Sequence, residues 1–351
     1  MINKIIYISN TRLDYSLNSA CIKGLSENGV EVVGFYVKGG GIRGLIKTVS
    51  FYLHNSGDID AVMIGYDSPV LVALFRPFCR KKIIYNAALS VYERMIISRE
   101  LASRFSVKAV YYWFIDFVAV HLANLVIVET DHQADFFKKI FKISGKKIYK
   151  SWIGVDENKF FYNPALPKYD SFTVLFRGAF MPESGVEYAI KAAKILEDKN
   201  IKFIVIGSGI LLKKVKKLAE ELKPANLELI TDYVSYDTLR TTMQRCHLSL
   251  GQLSNHDRLS RTIPHKAYES LAMKLPYLTA SNIGVLELLA PGETCLACSP
   301  ADANSLAEKI LWAKNNYPVA EKIAENGYKQ YQDQLKSSIL AGNILNKISG
   351  I

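Results

Sequence analysis

The sequence lacks an apolar run free enough of charge to cross a bilayer. Its longest apolar stretch, residues 107–128, carries Lys108, Asp116, His121 and Asn124. Asp116 and His121 sit in mid-stretch, away from the ends where long side chains reach the interface. A buried helix over 110–123 and a buried strand over 125–128 are expected there, and no membrane span. Cysteine is scarce and odd in number (Cys21, Cys79, Cys246, Cys295 and Cys298), which does not suit a disulfide framework. Residues Met1 to Ile8 pass straight into strand-like sequence without a cleavage site, so free thiols in a reducing cytoplasm are expected. Cys295-Leu296-Ala297-Cys298 has the CxxC spacing but no second pair and no redox context, so packing is expected of it rather than metal or redox chemistry. The Val205-Ile206-Gly207-Ser208-Gly209 stretch stops short of GxGxxG, which argues against a dinucleotide site. No internal repeat and no nucleic-acid-binding module is present, and nucleic acid is not expected as a partner.

What is there is a globular chain of 351 residues, 49% hydrophobic and 22% charged, long enough for two α/β domains. A formal net charge of +11 calls for an acidic partner: nucleic acid, an anionic membrane surface or a phosphate-bearing ligand. Strand and helix signals alternate, as in parallel sheets with helical crossovers. In the first half, strands are expected at 5–9, 30–36, 61–65, 82–85, 125–129 and 147–153. Helices are expected at 16–28, 45–53 and 131–141, with a loop at Gly39-Gly40-Gly41. The rhythm pauses over 161–170, where Asn163-Pro164 and Leu166-Pro167 read as a linker. It restarts with strands at 172–177, 203–206, 227–230, 248–251 and 277–279. Helices are expected at 185–198, 211–222, 236–244, 264–273, 306–315 and 319–331. The expected domains are 1–168 and 169–330, with a C-terminal helix in 331–351 packing back on the first.

Three strand-to-loop junctions of the second half look built for a phosphate-bearing ligand, since ligands of parallel sheets bind outside the strands' carboxyl ends. After the first strand, Gly178 lets backbone approach a ligand and Gly185 opens a helix whose N-terminus favours negative charge. Gly207 and Gly209 follow the next strand; a bare turn accounts equally well for them. The third junction is Arg258-Leu259-Ser260-Arg261-Thr262-Ile263-Pro264-His265-Lys266-Ala267-Tyr268-Glu269. Pro264 suits the first turn of a helix, and Lys266 and Glu269, three apart, share one face. A cation one turn from a carboxylate can hold a pyrophosphate and a ribose diol together. The alternative is an ordinary ion pair on a surface helix, which the apolar continuation Ser270-Leu271-Ala272-Met273 disfavours.

The run from Ile263 to Pro276 resembles the donor-site helix of family-4 (group 1) glycosyltransferases, in the branch with a Pro-x-Lys-x-x-Glu signature. Val174-Leu175-Phe176-Arg177-Gly178 through Gly185-Val186-Glu187, the stretch 204–209 and the stretch 306–310 fall at matching places. Val126 to Glu129, and Trp152-Ile153-Gly154-Val155-Asp156 with Phe160, resemble the strands that close that family's first domain. The resemblance implies two Rossmann-like α/β domains facing each other across a cleft, the GT-B arrangement, with acceptor on the first domain and nucleotide-sugar donor on the second. It implies transfer with retention and no metal or other cofactor. Carried over by position, Lys266 would bind the diphosphate and Glu269 the ribose hydroxyls. Gly178, Ala179, Phe180 and Gly207 would face the diphosphate or the sugar, and Tyr233 and Val234 would lie beside the base. The family pattern has Arg and Lys where this chain has Ala179 and Ser184, and a first glutamate where it has Arg261. Charge balance would then be restored through Arg258, Arg261 and Lys266, leaving Lys266, Glu269 and Arg261 as catalytic candidates. His265 could reach the sugar, but an exposed helix-end residue is expected, and His121 is expected in the core. Asn86, Ser90, Tyr92 and Arg99 would face the cleft from the first domain.

The basic excess admits a peripheral position on the inner face of an anionic membrane. Phe75-Arg76-Pro77-Phe78-Cys79-Arg80-Lys81-Lys82 interleaves aromatics with cations, and Lys138, Lys139, Lys142, Lys146 and Lys147 follow in the same domain. A solvated basic face is the alternative. The expected function is sugar transfer to a glycan or lipid-linked acceptor in surface-polysaccharide synthesis. The alternatives are a sugar-nucleotide epimerase or hydrolase of the same fold, and an inactive nucleotide-sugar-binding or membrane-associated partner.

Overall fold

A computed structural model describes residues 2–37 and 41–351. The chain folds as two compact units, residues 1–156 with 334–351, and residues 157–333. Each is built on a six-stranded parallel sheet with flanking helices. In the first unit β1 (Lys4–Ser9), β2 (Glu31–Tyr36), β3 (Ala61–Ile64), β4 (Lys82–Ala88), β5 (Leu125–Val128) and β6 (Ile148–Lys150) lie in the order β2-β1-β3-β4-β5-β6. In the second, β7 (Phe172–Arg177), β8 (Ile201–Ile206), β9 (Leu227–Ile230), β10 (Leu248–Leu250), β11 (Tyr277–Ala280) and β12 (Leu296–Cys298) lie in the order β12-β11-β10-β7-β8-β9. Strand order reverses between β1 and β3 in the first unit and between β7 and β10 in the second. At such a reversal successive loops run to opposite sides and leave a crevice outside the strands' carboxyl ends.

Both faces of each sheet are covered, which is why the central strands read as continuous apolar runs: every residue of β3, β5, β7 and β11 is buried. On one face of the first sheet Ile6, Val62 and Ile83 meet Phe75, Val120 and Phe137. On the other, Ile5, Met63 and Leu125 meet Leu25, Ile344 and Ile348. The last three come from helix Ser16–Glu27 and the C-terminal helix Ser337–Ser349. These two helices touch at Gly24, where an added Cβ would stand 2.0 Å from the Ser337 carbonyl oxygen.

Several expectations need correction. The units divide at Asp156 and Glu157, ahead of the polar stretch expected to link them. That stretch is fastened to the second unit by cations over rings: Arg240 over Phe161 at 4.5 Å and Arg245 over Tyr169 at 4.3 Å. Lys168 there donates to the Gln244 and Cys246 carbonyls at 2.9 and 2.8 Å. Phe160, grouped by resemblance with the first domain, packs under Arg177 at 5.6 Å in the second. Helix Pro69–Phe75, the π-helical turn Glu93–Ser98 and β12 were not anticipated. The helix at Val107–Leu122 buries one face only, with Ala109, Asp116, Ala119 and Val120 inside. His121 lies outside the core: it is exposed, with Nδ1 2.8 Å from the Phe117 carbonyl oxygen. Of the interleaved run Phe75 to Lys82, Phe75 and Cys79 are core residues and Phe78 is exposed. All five cysteines are free thiols; burial pushes those of Cys295 and Cys298 up to about 12. Of the expected glycine loop, Gly39 and Gly40 lie outside the described residues. No described helix is long and apolar enough to cross a membrane.

Candidate functional site

The strand reversal between β7 and β10 gathers the chemistry of the second unit. β7 is uncharged until its last residue, Arg177, which is buried all the same. Its guanidinium meets Glu269 at 2.5 Å, and both side chains are more than nine-tenths buried. Glu269 comes from helix His265–Ala272, every residue of which from Lys266 onward is buried. The alternative of a surface ion pair between Lys266 and Glu269 therefore fails twice. The helix is inside, and Glu269 takes its cation from the end of β7.

Lys266 is the odd group. Its Nζ lies 3.2 Å from Gln252 Oε1 and 3.4 Å from the Gly251 carbonyl oxygen, both in the loop leaving β10. It also stands 3.8 Å from the centre of the Phe176 ring. These are one long hydrogen bond, one marginal one and a ring face, with no ion pair among the described residues. Burial, with Arg177 nearby, drives its pKa well below the ordinary lysine value, against the pull of Glu269 and Glu183. Gly178, in a left-handed conformation at φ +119°, passes directly over it: a Cβ there would come 3.1 Å from Lys266 Cε. A buried lysine against an open backbone at a strand reversal, beside the start of the helix at His265, is an arrangement that can hold an anion.

The neighbouring loops are locked by close approach. Gly207 passes so near the β7 loop that a Cβ would stand 2.0 Å from the Gly178 carbonyl oxygen. Phe180 donates its amide to the Ser208 carbonyl at 2.9 Å and its ring is fully buried. Phe180 is thus an anchor of the loop: its carbonyl also accepts from the Leu211 amide at 3.0 Å, and neither its ring nor its backbone is open to a ligand. Ala179 is exposed, whereas Ser184 is buried, so a long cation at 184 would need a different packing. Arg258 binds Glu183 at 2.6 Å, tying the loop before the helix to the loop after β7. Arg261 binds Asp257 at 2.7 Å and so turns toward its own loop. Both arginines are already neutralised by carboxylates, and they restore less charge to the crevice than the sequence implied; Lys266 has no ion pair among the described residues. Tyr233 is 88% exposed and Val234 half-buried in the loop after β9, with β8 between that strand and β7.

Residues that sequence reasoning left without a role are Arg177, Glu183, Gln252 and His265. Arg177 carried a readable signal, a charge closing an otherwise uncharged strand. His265 is not the exposed residue expected: both ring nitrogens are buried without a hydrogen-bond partner, and burial lowers its pKa, keeping the ring neutral. In the first unit, the reversal between β1 and β3 holds a neutral network instead. Tyr7 donates to Asn18 Oδ1 at 2.9 Å, and Asn18 Nδ2 to Ser9 Oγ at 3.2 Å. Ser68 Oγ accepts from the Asn10 amide at 2.8 Å. Of the four residues expected to face a cleft from this unit, Ser90 is buried, Asn86, Tyr92 and Arg99 half-buried, and the Tyr92 amide is bound by Asp116 at 2.8 Å.

Residues 158–330 match the family of glycosyl transferases group 1. An uncharacterized glycosyltransferase of Methanocaldococcus jannaschii is 29% identical over 153 residues, 44% of this chain and 41% of that protein. The capsular polysaccharide biosynthesis glycosyltransferase CapM of Staphylococcus aureus is 23% identical over 180 residues, 49% of this chain and 44% of that protein. The matched stretch thus spans less than half the length of either relative. Among solved structures, Anabaena HepE in complex with UDP and glucose superposes with a TM-score of 0.74 at 14% identity, covering 99% of this chain and 100% of that one. The architecture, two six-stranded α/β units, is that of the GT-B structures.

Proposed function

We propose that this chain, a GT-B protein whose residues 158–330 match the group 1 glycosyl transferases, moves a sugar from a nucleoside diphosphate to a glycan or lipid-linked acceptor. The observation that carries this reading is Lys266, a buried ammonium without an ion pair at the strand reversal of the second unit. A diphosphate seated against Gly178 and the helix start would give that ammonium its counter-charge. Binding would raise the Lys266 pKa again, so the cation is fully charged when the leaving group departs. A fixed cation aimed at charge that grows in the transition state lowers the barrier without reorganisation at the moment of reaction.

The finer assignments follow the resemblance: a family-4 enzyme of the Pro-x-Lys-x-x-Glu branch, retaining, hexosyl-transferring and independent of metal, working in surface-polysaccharide synthesis. UDP in the HepE complex and the capsular role in CapM's name favour a uridine nucleotide and a polysaccharide product. Glu269 is given to the ribose, with Arg177 holding its carboxylate in place. The pairing of Arg258 and Arg261 with acids favours one rival, a binding protein without turnover. Incubation with radiolabelled UDP-sugars and a lipid and glycan extract separates the readings. A labelled glycoside supports transfer, free sugar alone points to hydrolysis, and unchanged donor with retained binding points to the inactive partner.

A further inference from the structure

The second sheet ends at the edge strand β12, and a groove of about 510 Å³ lies there that shares no residue with the crevice. One wall is a face of helix Ala303–Asn315, where Ser305, Glu308, Lys309 and Trp312 recur at spacings of three and one turn further on. The other wall is the carboxyl end of β11 and β12, with Ser281 and Ser299 both exposed. Cys298 gives its carbonyl to the Ser281 amide at 3.0 Å. Backbone groups of a parallel strand alternate in direction, so those of Ala297 point away from β11, into the groove that this residue lines. Trp312 is 37% exposed, with Lys309 Nζ 5.5 Å from the centre of its ring. Neither Glu308 nor Lys309 forms an ion pair among the described residues.

The chemistry of the walls selects the occupant. One carboxylate and one ammonium cancel, so the groove does not select an anion. A single indole among hydroxyls offers little to an apolar partner, and an edge of three residues is short for pairing with a peptide strand. What fits is a ring with C–H groups on one face and hydroxyls around its rim. The face covers the indole, and the hydroxyls meet the carboxylate, the ammonium and the outward backbone. We infer that this groove binds a neutral oligosaccharide, apart from the sugar that reacts in the crevice. The inference stands on the groove's own residues, whatever the crevice does. On the transferase reading it has a consequence: β12 lies three strands from β7, about 14 Å across the same carboxyl edge. A glycan held there would raise the local concentration of its own chain end beside the crevice.

The test is titration of the full chain with neutral hexasaccharides of glucose, galactose, mannose and N-acetylglucosamine, followed by tryptophan fluorescence and calorimetry. Wild type is expected to bind at least one of them with a change in emission. Raising salt from about 0.05 to 0.5 M should leave that affinity unchanged, since the ligand carries no charge. Trp312→Ala is expected to weaken binding by about tenfold or more and to remove the emission change. Glu308→Ala, at an exposed position where the unfolding midpoint should hold, is expected to weaken it by about threefold. Lys266→Met should bind the hexasaccharide as wild type does, which separates this result from any failure at the crevice. Wild type that binds none of the four, or Trp312→Ala and Glu308→Ala that bind like wild type, would overturn the inference. So would a wild-type dimer, dispersed by Trp312→Ala, that ignores every sugar; the groove would then belong to a second copy.

Discussion

The two units solve the same topological problem with opposite chemistry. Each reverses its strand order once and opens a crevice there, between β1 and β3 in one and between β7 and β10 in the other. The first crevice is lined by Tyr7, Ser9, Asn18 and Ser68, neutral groups that satisfy one another. The second is lined by a buried ion pair and a buried lysine. The first set is fully buried and hydrogen-bonded within itself, whereas a desolvated cation suits a partner that offers negative charge. The fold therefore supplies two equivalent places, and the residues at the strand ends make the second the one suited to an anion.

The contrast can be broken hardest at the ion pair. Glu269→Gln should leave Arg177 buried without compensation and cost about 3–5 kcal/mol in urea unfolding. Arg177→Met/Glu269→Leu should regain most of that, because removing both charges also removes their desolvation. The first unit's counterpart, Arg94 with Asp67, is more exposed, and Asp67→Asn should cost clearly less. Equal losses would mean that the deeper burial of the Arg177–Glu269 pair adds nothing to the cost of breaking it. Next in size, Lys266→Met should lower turnover by about 10²–10³ while leaving the unfolding midpoint unchanged or raised. A residue kept for packing alone would show the reverse.

A smaller effect belongs to Asp116, whose carboxyl burial pushes up to about 7. Its folded value lies above the unfolded one, so the native state holds the extra proton, and the associated stability falls as pH rises from about 4 toward 7. Asp116→Asn keeps the acceptor for the Tyr92 amide and should flatten that fall, as measured by unfolding at pH 5 and pH 8. The smallest effect is expected at His265. Replacing its unpartnered ring, His265→Phe, should be neutral or stabilise by about 1 kcal/mol. A drop in turnover alongside that gain would identify the imidazole as a group held ready for substrate.

Much of this was legible in the sequence, and what was not has physical reasons. β7, β8 and β11 could be read because strands covered on both faces are nearly continuous apolar runs bounded by turns, here interrupted only by Thr173, Lys202 and Thr279 besides the closing Arg177 of β7. Pro69–Phe75 is equally apolar, so periodicity could not tell it from a strand, and only Pro69 in its first turn marks it as a helix. The boundary was misplaced because stacking of Arg240, Arg245 and Lys274 over Phe161, Tyr169 and Tyr162 leaves no trace in composition. At the site, Lys266 and Glu269 were found through their spacing on one helix. Their true partners, Gln252 and Arg177, are brought there by β10 and β7, and sequence separation hides them. Val107–Leu122 was read as buried because its composition is apolar all round; which of its faces meets a neighbour is decided by packing.

The account rests on Lys266 as the cation that awaits an anion, and binding tests it most directly. Thermal unfolding of wild type and Lys266→Met should be followed across UDP, GDP, ADP, CMP and dTDP and their sugar conjugates. At a hundred times its dissociation constant a ligand of the folded state adds about 2.7 kcal/mol, a readily visible shift. The account predicts such a shift in wild type from one nucleoside diphosphate class, lost in Lys266→Met. No shift with any of them, or an equal shift in both proteins, would contradict it.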